Sequence, residues 1–315
     1  MNVKQIFDLA IELGINADLR GKPAVLKMLK RKKEQYEKLN EEQKEEFDEE
    51  ALSNPYLDSR IHFDSGKPVK KILTGIDMEG DEVLLADKMK DIDLILAHHP
   101  RGKALANLAD VMHLQAEVYA QYRVPINIAE AVQKERIEEV ARGVNPINHY
   151  RPINIAEILG VSYINVHTPA DNLVANFLRK KIENANPEYI GDILKLLKEI
   201  PEYREAIKQG AGPCLFAGNP ENRCGKVAIT EITGGTEPSK KIYEKIAQAG
   251  VGTIVCMHLS EEHKKEAEAA HINAIIAGHI SSDSLGMNLF LDELEKKGIE
   301  IIPCSGLIRV KRFKK

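Results

Sequence analysis

The sequence has no tryptophan, and aromatic residues make up only 5% of its 315 positions. Proteins that bind single-stranded nucleic acid stack bases on aromatic side chains, so this scarcity argues against such a role. The formal net charge of -4 gives no general attraction to phosphate backbones or to anionic membranes. We therefore expect neither nucleic acid nor a membrane surface as a partner.

Long apolar runs are also missing. No stretch approaches the roughly 18 apolar residues that are needed to span a bilayer. The amino-terminal segment is interrupted by Lys4, Asp8 and Glu12, which is unlike a signal peptide. These features predict a cytoplasmic protein.

Cysteine is scarce, and its spacing is uninformative about chemistry. The chain contains Cys214, Cys224, Cys256 and Cys304, and no two of them form a C-x-x-C pair. The spacing therefore indicates neither a zinc ribbon nor a thioredoxin-like redox site. In a reducing compartment we expect all four cysteines to be free.

The order of the remaining patterns predicts an α/β fold. Hydrophobic residues make up 43% of the chain and charged residues 29%, as in a soluble globular protein. From Lys70 onward, short apolar runs alternate with helical patterns, and the last two runs, IEIIPCSG and LIRVKRF, read as closing strands. This alternation is typical of mostly parallel sheets.

Residues 1–60 have a different pattern, which predicts helices set apart from the rest. A second helix from about Pro23 should continue through a charged stretch that is basic first and acidic later. This stretch is either an arm that docks a partner or a solvated helix packed against the body. The segment Ser53 to Ser59 reads as a linker, because Pro55 limits helix continuation.

Three apolar runs end on histidine, and two of them add an aspartate four residues later. The runs are LILAHHP, SYINVHTPAD and NAIIAGHISSD, which supply His98 and His99, His167 and Asp171, and His279 and Asp283. Strand ends of this kind share one edge of an open α/β sheet, where ligand sites collect. Residues far apart in sequence are therefore expected to meet there.

Imidazole and carboxylate groups together bind zinc, manganese or iron. Our hypothesis is that His98, His99, Asp171, His279 and Asp283 hold two divalent metal ions. Five ligands around two ions leave positions for water, and water on a divalent metal loses its proton near neutral pH. The reactive group would then be this water, and the sequence identifies no catalytic side chain.

His258 is an accessory candidate for the same edge, whereas His113 is not. The run GTIVCMH ends on His258, but no aspartate follows at the repeated spacing. His113 lies beside a helical stripe and is interpreted as a packed or solvated histidine. Each histidine motif taken alone also fits a structural hydrogen bond, and H-x-x-x-D fits a contact within a helix.

Taken together, AHHP at 97–100, HTPAD at 167–171 and AGHISSD at 277–283 resemble the Nif-three-like dinuclear metal-centre family, often labelled GTP cyclohydrolase 1 type 2. The likeness spans about Lys70 to Val310. The resemblance implies two interleaved α/β domains, ring-shaped homohexamers and a pair of divalent metal ions in an internal cavity. It also implies His98, His99, Asp171 and His279 as ligands.

The final acidic position of the family bridges the two ions and is usually glutamate, whereas this chain has Asp283. The resemblance leaves open whether His167 binds a metal or orients Asp171, and we favour orientation. The corresponding division is a helical extension over 1–60, a metal-binding α/β domain from 61–175 and 272–315, and a second α/β domain over 176–271.

Two functions follow as hypotheses. The first is a metal-dependent hydrolase acting on a nucleotide or phosphoester, with GTP as the substrate that the resemblance implies. The second is a non-catalytic metal-binding ring that serves as a scaffold, a regulator or a metal-delivery partner. The charged amino-terminal arm and the lack of a P-loop or other phosphate signature motivate the second hypothesis.

Overall fold

The computed structural model describes residues 1–313. Its strands are β1 (Arg60–Phe63), β2 (Lys71–Gly75), β3 (Leu94–Ala97), β4 (Ser162–Asn165), β5 (Cys214–Ala217), β6 (Lys226–Ile229), β7 (Val251–Cys256), β8 (Asn273–Ile276) and β9 (Glu300–Pro303). Its helices are α1 (Val3–Ala17), α2 (Lys22–Tyr36), α3 (Glu41–Glu46), α4 (Gly80–Met89), α5 (Gly102–Ala106), α6 (Leu108–Val111), α7 (His113–Gln121), α8 (Ile126–Val144), α9 (Arg151–Leu159), α10 (Thr168–Ala185), α11 (Ile190–Lys198), α12 (Pro201–Lys208), α13 (Ile242–Gln248), α14 (Glu261–Ala269) and α15 (His279–Lys296).

The strands form two sheets, each mostly parallel. The first has the order β1-β4-β3-β2-β9, in which only β1 runs antiparallel to its neighbour. The second has the order β5-β8-β7-β6, in which β5 is the antiparallel edge strand. Helices connect the parallel strands, as such connections require. The predicted α/β class with mostly parallel sheets is confirmed.

The predicted division into domains remains a prediction. Strand β8 pairs with β5 and β7 in the four-stranded sheet, although the predicted boundary lies just before this strand, at 271 and 272. The chain therefore crosses between the two sheets immediately after β8, through α15.

The amino-terminal helices are present as predicted, but the first of them belongs to the core of the molecule, so the expectation that it is set apart was wrong. Helix α1 begins with Asn2, which caps it together with Gln5, and it packs against α10 and α15. Val3 and Ile6 are fully buried among apolar residues of the five-stranded sheet. The apolar stripe of α1 is therefore covered by the body.

The predicted linker, Ser53 to Ser59, was also wrong. Tyr56 and Asp58 are both fully buried, and the Tyr56 hydroxyl donates a hydrogen bond of 2.8 Å to Asp18. Pro55 does end the helical region, but the backbone then packs inward. A proline marks a break in helix and carries no information on whether the break is exposed.

Two boundaries differ from the expectations. The second helix ends at Tyr36, because Asn40 forms a new capping box with Gln43 and starts α3. Residues 307–313 are not a strand, although β9 forms as expected. Their arginines pair with buried acids on α12 and α15, and this pairing holds the segment over the helices.

Helices α10 and α15 pack tightly near their amino-terminal ends. A Cβ atom on Gly286 would lie 2.3 Å from the carbonyl oxygen of Ala170, so only glycine permits this approach. The close contact brings Asp171, in the first turn of α10, and Asp283, the fifth residue of α15, toward each other. Among residues 1–313, no helix has both the length and the apolar composition to cross a membrane.

Candidate metal centre

The carboxyl ends of both sheets face one site. From the five-stranded sheet, β3 leads into His98 and His99, and β4 leads into His167 at the start of α10. From the four-stranded sheet, β8 leads into His279, the first residue of α15. The predicted convergence of these strand ends is observed, and it follows from the parallel arrangement.

His98 and the two aspartates form the buried half of the site. The Nδ1 atom of His98 donates to the carbonyl oxygen of Val166 at 3.0 Å. Its Nε2 lies 3.5 Å from Asp171 Oδ1 and 3.5 Å from Asp283 Oδ1. These three atoms are buried and have no hydrogen-bond partner within the described chain.

His99, His279 and Asp283 form the outer half. The Nδ1 atom of His99 donates to Asp77 at 2.8 Å, and its Nε2 lies 3.4 Å from Asp283 Oδ2. His279 Nε2 lies 3.6 Å from the same carboxylate oxygen. Asp283 therefore faces both halves, with one oxygen toward each.

His167 is held by a carboxylate that the sequence did not single out. Its Nδ1 donates to Asp58 Oδ2 at 2.7 Å, and Thr168 donates to the same oxygen at 2.6 Å. Its Nε2 lies 3.8 Å from Asp171 Oδ2. The nitrogen atoms of His98, His99 and His167 also lie within 4.8 Å of one another, so His167 is placed either to orient Asp171 or to bind a cation itself.

Burial and mutual contact shift the acidity of these groups. Burial raises the pKa of Asp171 to about 6, against the opposing charges of His167 and His98. Burial alone would lower the pKa of His99, but the nearby carboxylate of Asp283 and the hydrogen bond to Asp77 raise it to about 10. The pKa of His279 falls to about 4, chiefly through burial. The pKa of Asp283 is well below its usual range, because the neighbouring histidines outweigh its burial.

The donor set fits a divalent metal ion. Lone pairs of His98 and of two carboxylates face each other at 3.5 Å, an arrangement that a buried site tolerates only with a cation or protons between them. Ligand atoms around a tetrahedral zinc ion, with bonds of about 2.1 Å, lie about 3.4 Å apart. Two groups of three residues have this spacing. One consists of His98, Asp171 and Asp283, and the other of His99, His279 and Asp283.

A second wall, from the four-stranded sheet, faces these residues. The cavity between the walls has a volume of about 30 Å³ and is lined by Glu231, Thr236 and His258 opposite the histidines and aspartates. His258 donates from Nδ1 to Glu237 at 3.1 Å, and its ring lies 4.8 Å from that of His279. A cavity of this size holds about one water molecule.

The structure thus brings together all five predicted ligands, with His167 and His258 beside them. His113 lies outside the cluster and is exposed on α7. Sequence reasoning missed Asp58, Asp77, Glu231 and Glu237. Asp77 and Glu231 carried a usable signal, because each lies two residues beyond the carboxyl end of a strand, β2 and β6. Asp58 and Glu237 carried none, since nothing in their local pattern marks them.

No protein-family model and no curated protein matches the chain. Solved structures do match it. A NIF3 superfamily protein from Sphaerobacter thermophilus has a TM-score of 0.77 and 22% identity, covering 98% of this chain and 99% of that chain. Reduced HcgD from Methanocaldococcus jannaschii has a TM-score of 0.50 and 16% identity, covering 75% of this chain and 84% of that chain.

The match to the Sphaerobacter thermophilus protein covers 98% of this chain, including the amino-terminal helices. At these sequence identities the matches establish only the fold. The chemistry of the site follows from the residues described above. The chain therefore shares its fold with this solved NIF3 superfamily protein, which confirms the α/β fold that the resemblance implied.

Proposed function

We propose that this protein binds two divalent first-row metal ions per chain and uses them to hydrolyse a nucleotide or another phosphoester. His98, Asp171 and Asp283 would hold one ion, and His99, His279 and Asp283 the other. Asp283 would bridge the two ions with its two oxygens, as the family resemblance implies for this position. Zinc, manganese and iron all suit these ligands.

The observation that carries the proposal is a set of buried acceptors without partners. His98 Nε2, Asp171 Oδ1 and both oxygens of Asp283 have no hydrogen-bond donor within residues 1–313. Leaving several such atoms together costs several kcal/mol (roughly 1–3 kcal/mol each) unless a ligand occupies the space. A cation is the ligand that carboxylates and unprotonated imidazoles share.

The protein's own groups have distinct parts in this proposal. A divalent ion supplies an acidified water and polarises the oxygen of the bond to be cleaved. Val166, Asp77 and Asp58 fix the imidazole rings of His98, His99 and His167 through Nδ1, so that each Nε2 faces the site. His279 is the most exposed ligand, with 43% of its side chain accessible, so substrate would approach from its side.

GTP is the substrate that the family label suggests, and a hexameric ring in the cytoplasm is the expected setting. The small cavity limits what enters it, so a substrate would present only a phosphoryl group or one edge of a ring to the ions. A nucleotide would otherwise lie outside the cavity, along the exposed faces of His279 and His258.

The same small cavity favours a second candidate, a protein that holds metal ions without catalysis. A volume of about 30 Å³ accommodates ions with their water and little more. In this case the protein would act as a scaffold, a regulator or a metal-delivery partner.

Metal analysis and a substrate panel distinguish the two candidates. The full chain, purified without chelators, is loaded with zinc, manganese or ferrous iron and assayed on GTP, other nucleotides and simple phosphoesters. Asp171→Asn and His99→Gln are compared with His113→Gln, an exposed histidine outside the site. We expect two ions per wild-type chain and a loss of more than about 100-fold in activity in both site variants.

Retention of metal and activity in both site variants would contradict the assignment to this cluster. Two bound ions without turnover of any substrate would reject the hydrolase and leave the metal-holding candidate. The mass of the native assembly, measured by light scattering, tests the expected hexamer separately.

A further inference from the structure

Glu231 has an unusual backbone for a glutamate. It lies two residues beyond β6, on the carboxyl edge of the four-stranded sheet, with φ at 56°. Residues other than glycine rarely adopt this left-handed conformation, and asparagine and aspartate tolerate it better than glutamate does. Strained positions of this kind persist where the surroundings hold them, often at functional sites.

The carboxyl group of Glu231 is buried, and only one of its two oxygens has a hydrogen-bond partner. The residue is 8% exposed, and the Tyr243 hydroxyl donates a hydrogen bond of 2.8 Å to Oε1. Its Oε2 is buried and has no partner within the described residues. Glu231 lines the same cavity as Asp171 and Asp283, so a buried carboxyl group with one unpartnered oxygen shares this cavity with the proposed ligands.

The groups around Glu231 include one basic side chain, His258, whose pKa is raised against its burial by the hydrogen bond to Glu237 and by the charges of Glu237 and Glu231. Tyr243 comes from α13, Tyr119 from α7 and Cys256 from β7, and none of them is positively charged. His258 lies near enough to favour the carboxylate, but it is hydrogen-bonded to Glu237, which has the opposite effect.

In the metal-free chain burial raises the pKa of Glu231 to about 8, which favours the protonated group at neutral pH. With Oε1 accepting from Tyr243, the proton belongs on Oε2. The outcome is a neutral carboxylic acid with its O–H on the unpartnered oxygen, on a residue that shares the cavity with the proposed ligands.

Resting on the hydrolase proposed above, we propose that Glu231 is the proton donor to the leaving group of a phosphoester substrate. The bond between phosphorus and the leaving oxygen breaks, and its electron pair stays on that oxygen, which takes the proton from Oε2. Water forms the new bond to phosphorus, and one of its protons returns to the Glu231 carboxylate. The sum is one ester and one water converted to an alcohol and a phosphate.

This role selects a class of substrate. Proton donation matters most when the leaving alcohol is weakly acidic, and it matters little when the departing anion is already stable. The acid therefore suits alkyl phosphoesters, including those of sugars, better than aryl phosphoesters with acidic phenols.

The test compares Glu231→Gln with wild type, both metal-loaded, on 4-nitrophenyl phosphate and on methyl phosphate. Glutamine keeps the shape and a hydrogen-bond donor but no transferable proton. We expect unchanged metal content, a loss of about 100-fold in kcat for the methyl ester and a change below about threefold for the nitrophenyl ester. The alkaline limb of the pH profile should disappear in the variant.

Infrared spectroscopy measures the protonation state of Glu231 in the absence of substrate. The difference spectrum between wild type and Glu231→Gln should contain a carboxylic-acid band at pH 6 that is lost as the pH rises past about 8. Tyr243→Phe removes the hydrogen bond to Oε1, which favours the carboxylate, so its alkaline limb should move to higher pH. Glu202→Gln replaces a buried glutamate that pairs with Arg312 outside the cavity and should leave the ratio of the two esters unchanged.

Equal losses on both esters in Glu231→Gln would overturn the inference and indicate a structural role. A carboxylate band from Glu231 at pH 6 would overturn it as well. A metal-loaded wild type that is inert on every ester would reject the hydrolase itself and the catalytic role of Glu231 with it. Activity in wild type that Glu231→Gln leaves intact would reject this inference alone.

Discussion

Two clusters of buried charge in this molecule are built on opposite principles. The metal centre gathers Asp171 and Asp283 with histidines whose nearest nitrogens lie 3.4–3.8 Å from the carboxylates. The second cluster, which we call the carboxyl-terminal clasp, consists of acids on α12 and α15 and the basic residues of the last segment: Glu202, Asp292, Glu295, Arg309, Lys311 and Arg312.

In the clasp every acid meets a permanent cation. Arg312 donates to both oxygens of Glu202 at 2.7 and 2.6 Å, and Arg309 donates to Asp292 at 2.6 Å and also pairs with Glu295. The metal centre has acids of similar burial but leaves acceptor atoms unpaired. The difference teaches that a closed ion-pair cluster holds the fold together, whereas an open one has acceptor atoms that could hold a cation from solution.

The largest expected effect is the loss of the clasp. Arg309→Ala removes the guanidinium that faces Asp292 and Glu295 and leaves two buried acids without it, so we expect the free energy of unfolding to fall by about 3–5 kcal/mol. Denaturant unfolding of the metal-free protein measures this change. A loss below about 1 kcal/mol would mean that the two clusters differ less than their geometry indicates.

Metal addition is the corresponding test of the open cluster. Free zinc or manganese at about 100 times the dissociation constant should raise the free energy of unfolding by about 2.7 kcal/mol, and a chelator should reverse the gain. Asp283→Asn should abolish the gain, because this carboxylate faces both halves of the site. The clasp variant Arg309→Ala should keep it. A gain of equal size in Asp283→Asn would locate the metal elsewhere.

Asp58 allows a smaller and more specific change. Asp58→Asn weakens the hydrogen bonds that Asp58 accepts from His167 Nδ1 and from Thr168, so we expect metal affinity to fall about 10–100-fold while the same number of ions still binds. Isothermal titration calorimetry measures both quantities. Asp64→Asn, an exposed aspartate on the same segment, is the matched control. Unchanged affinity in Asp58→Asn would show that His167 takes no part in the site.

An exposed ion pair should have the smallest effect. Lys4 and Asp8 lie one helical turn apart on α1, with 72% and 57% of their side chains accessible. Water already solvates both groups, so Lys4→Ala should leave the thermal midpoint unchanged within error and leave metal binding intact. A clear loss of stability would show that burial is not what separates the clusters from ordinary surface charge.

The sequence alone determined the parts of this protein that depend on local pattern. Apolar runs of strand length ending in histidine placed His98, His99 and His279 at strand ends, because side-chain periodicity and chain breaks are readable within a few residues. From the parallel order of the elements, the meeting of these strand ends could be predicted as well.

Only the tertiary structure decided which groups complete the site. Asp58 reaches His167 across 109 residues, and Glu231 joins the cavity from the other sheet. The segment 307–313 has the pattern of a strand, but its arginines form ion pairs with buried acids on α12 and α15 and no strand forms there. In each case the deciding energy is burial and pairing with a distant partner, which no window of neighbouring residues contains.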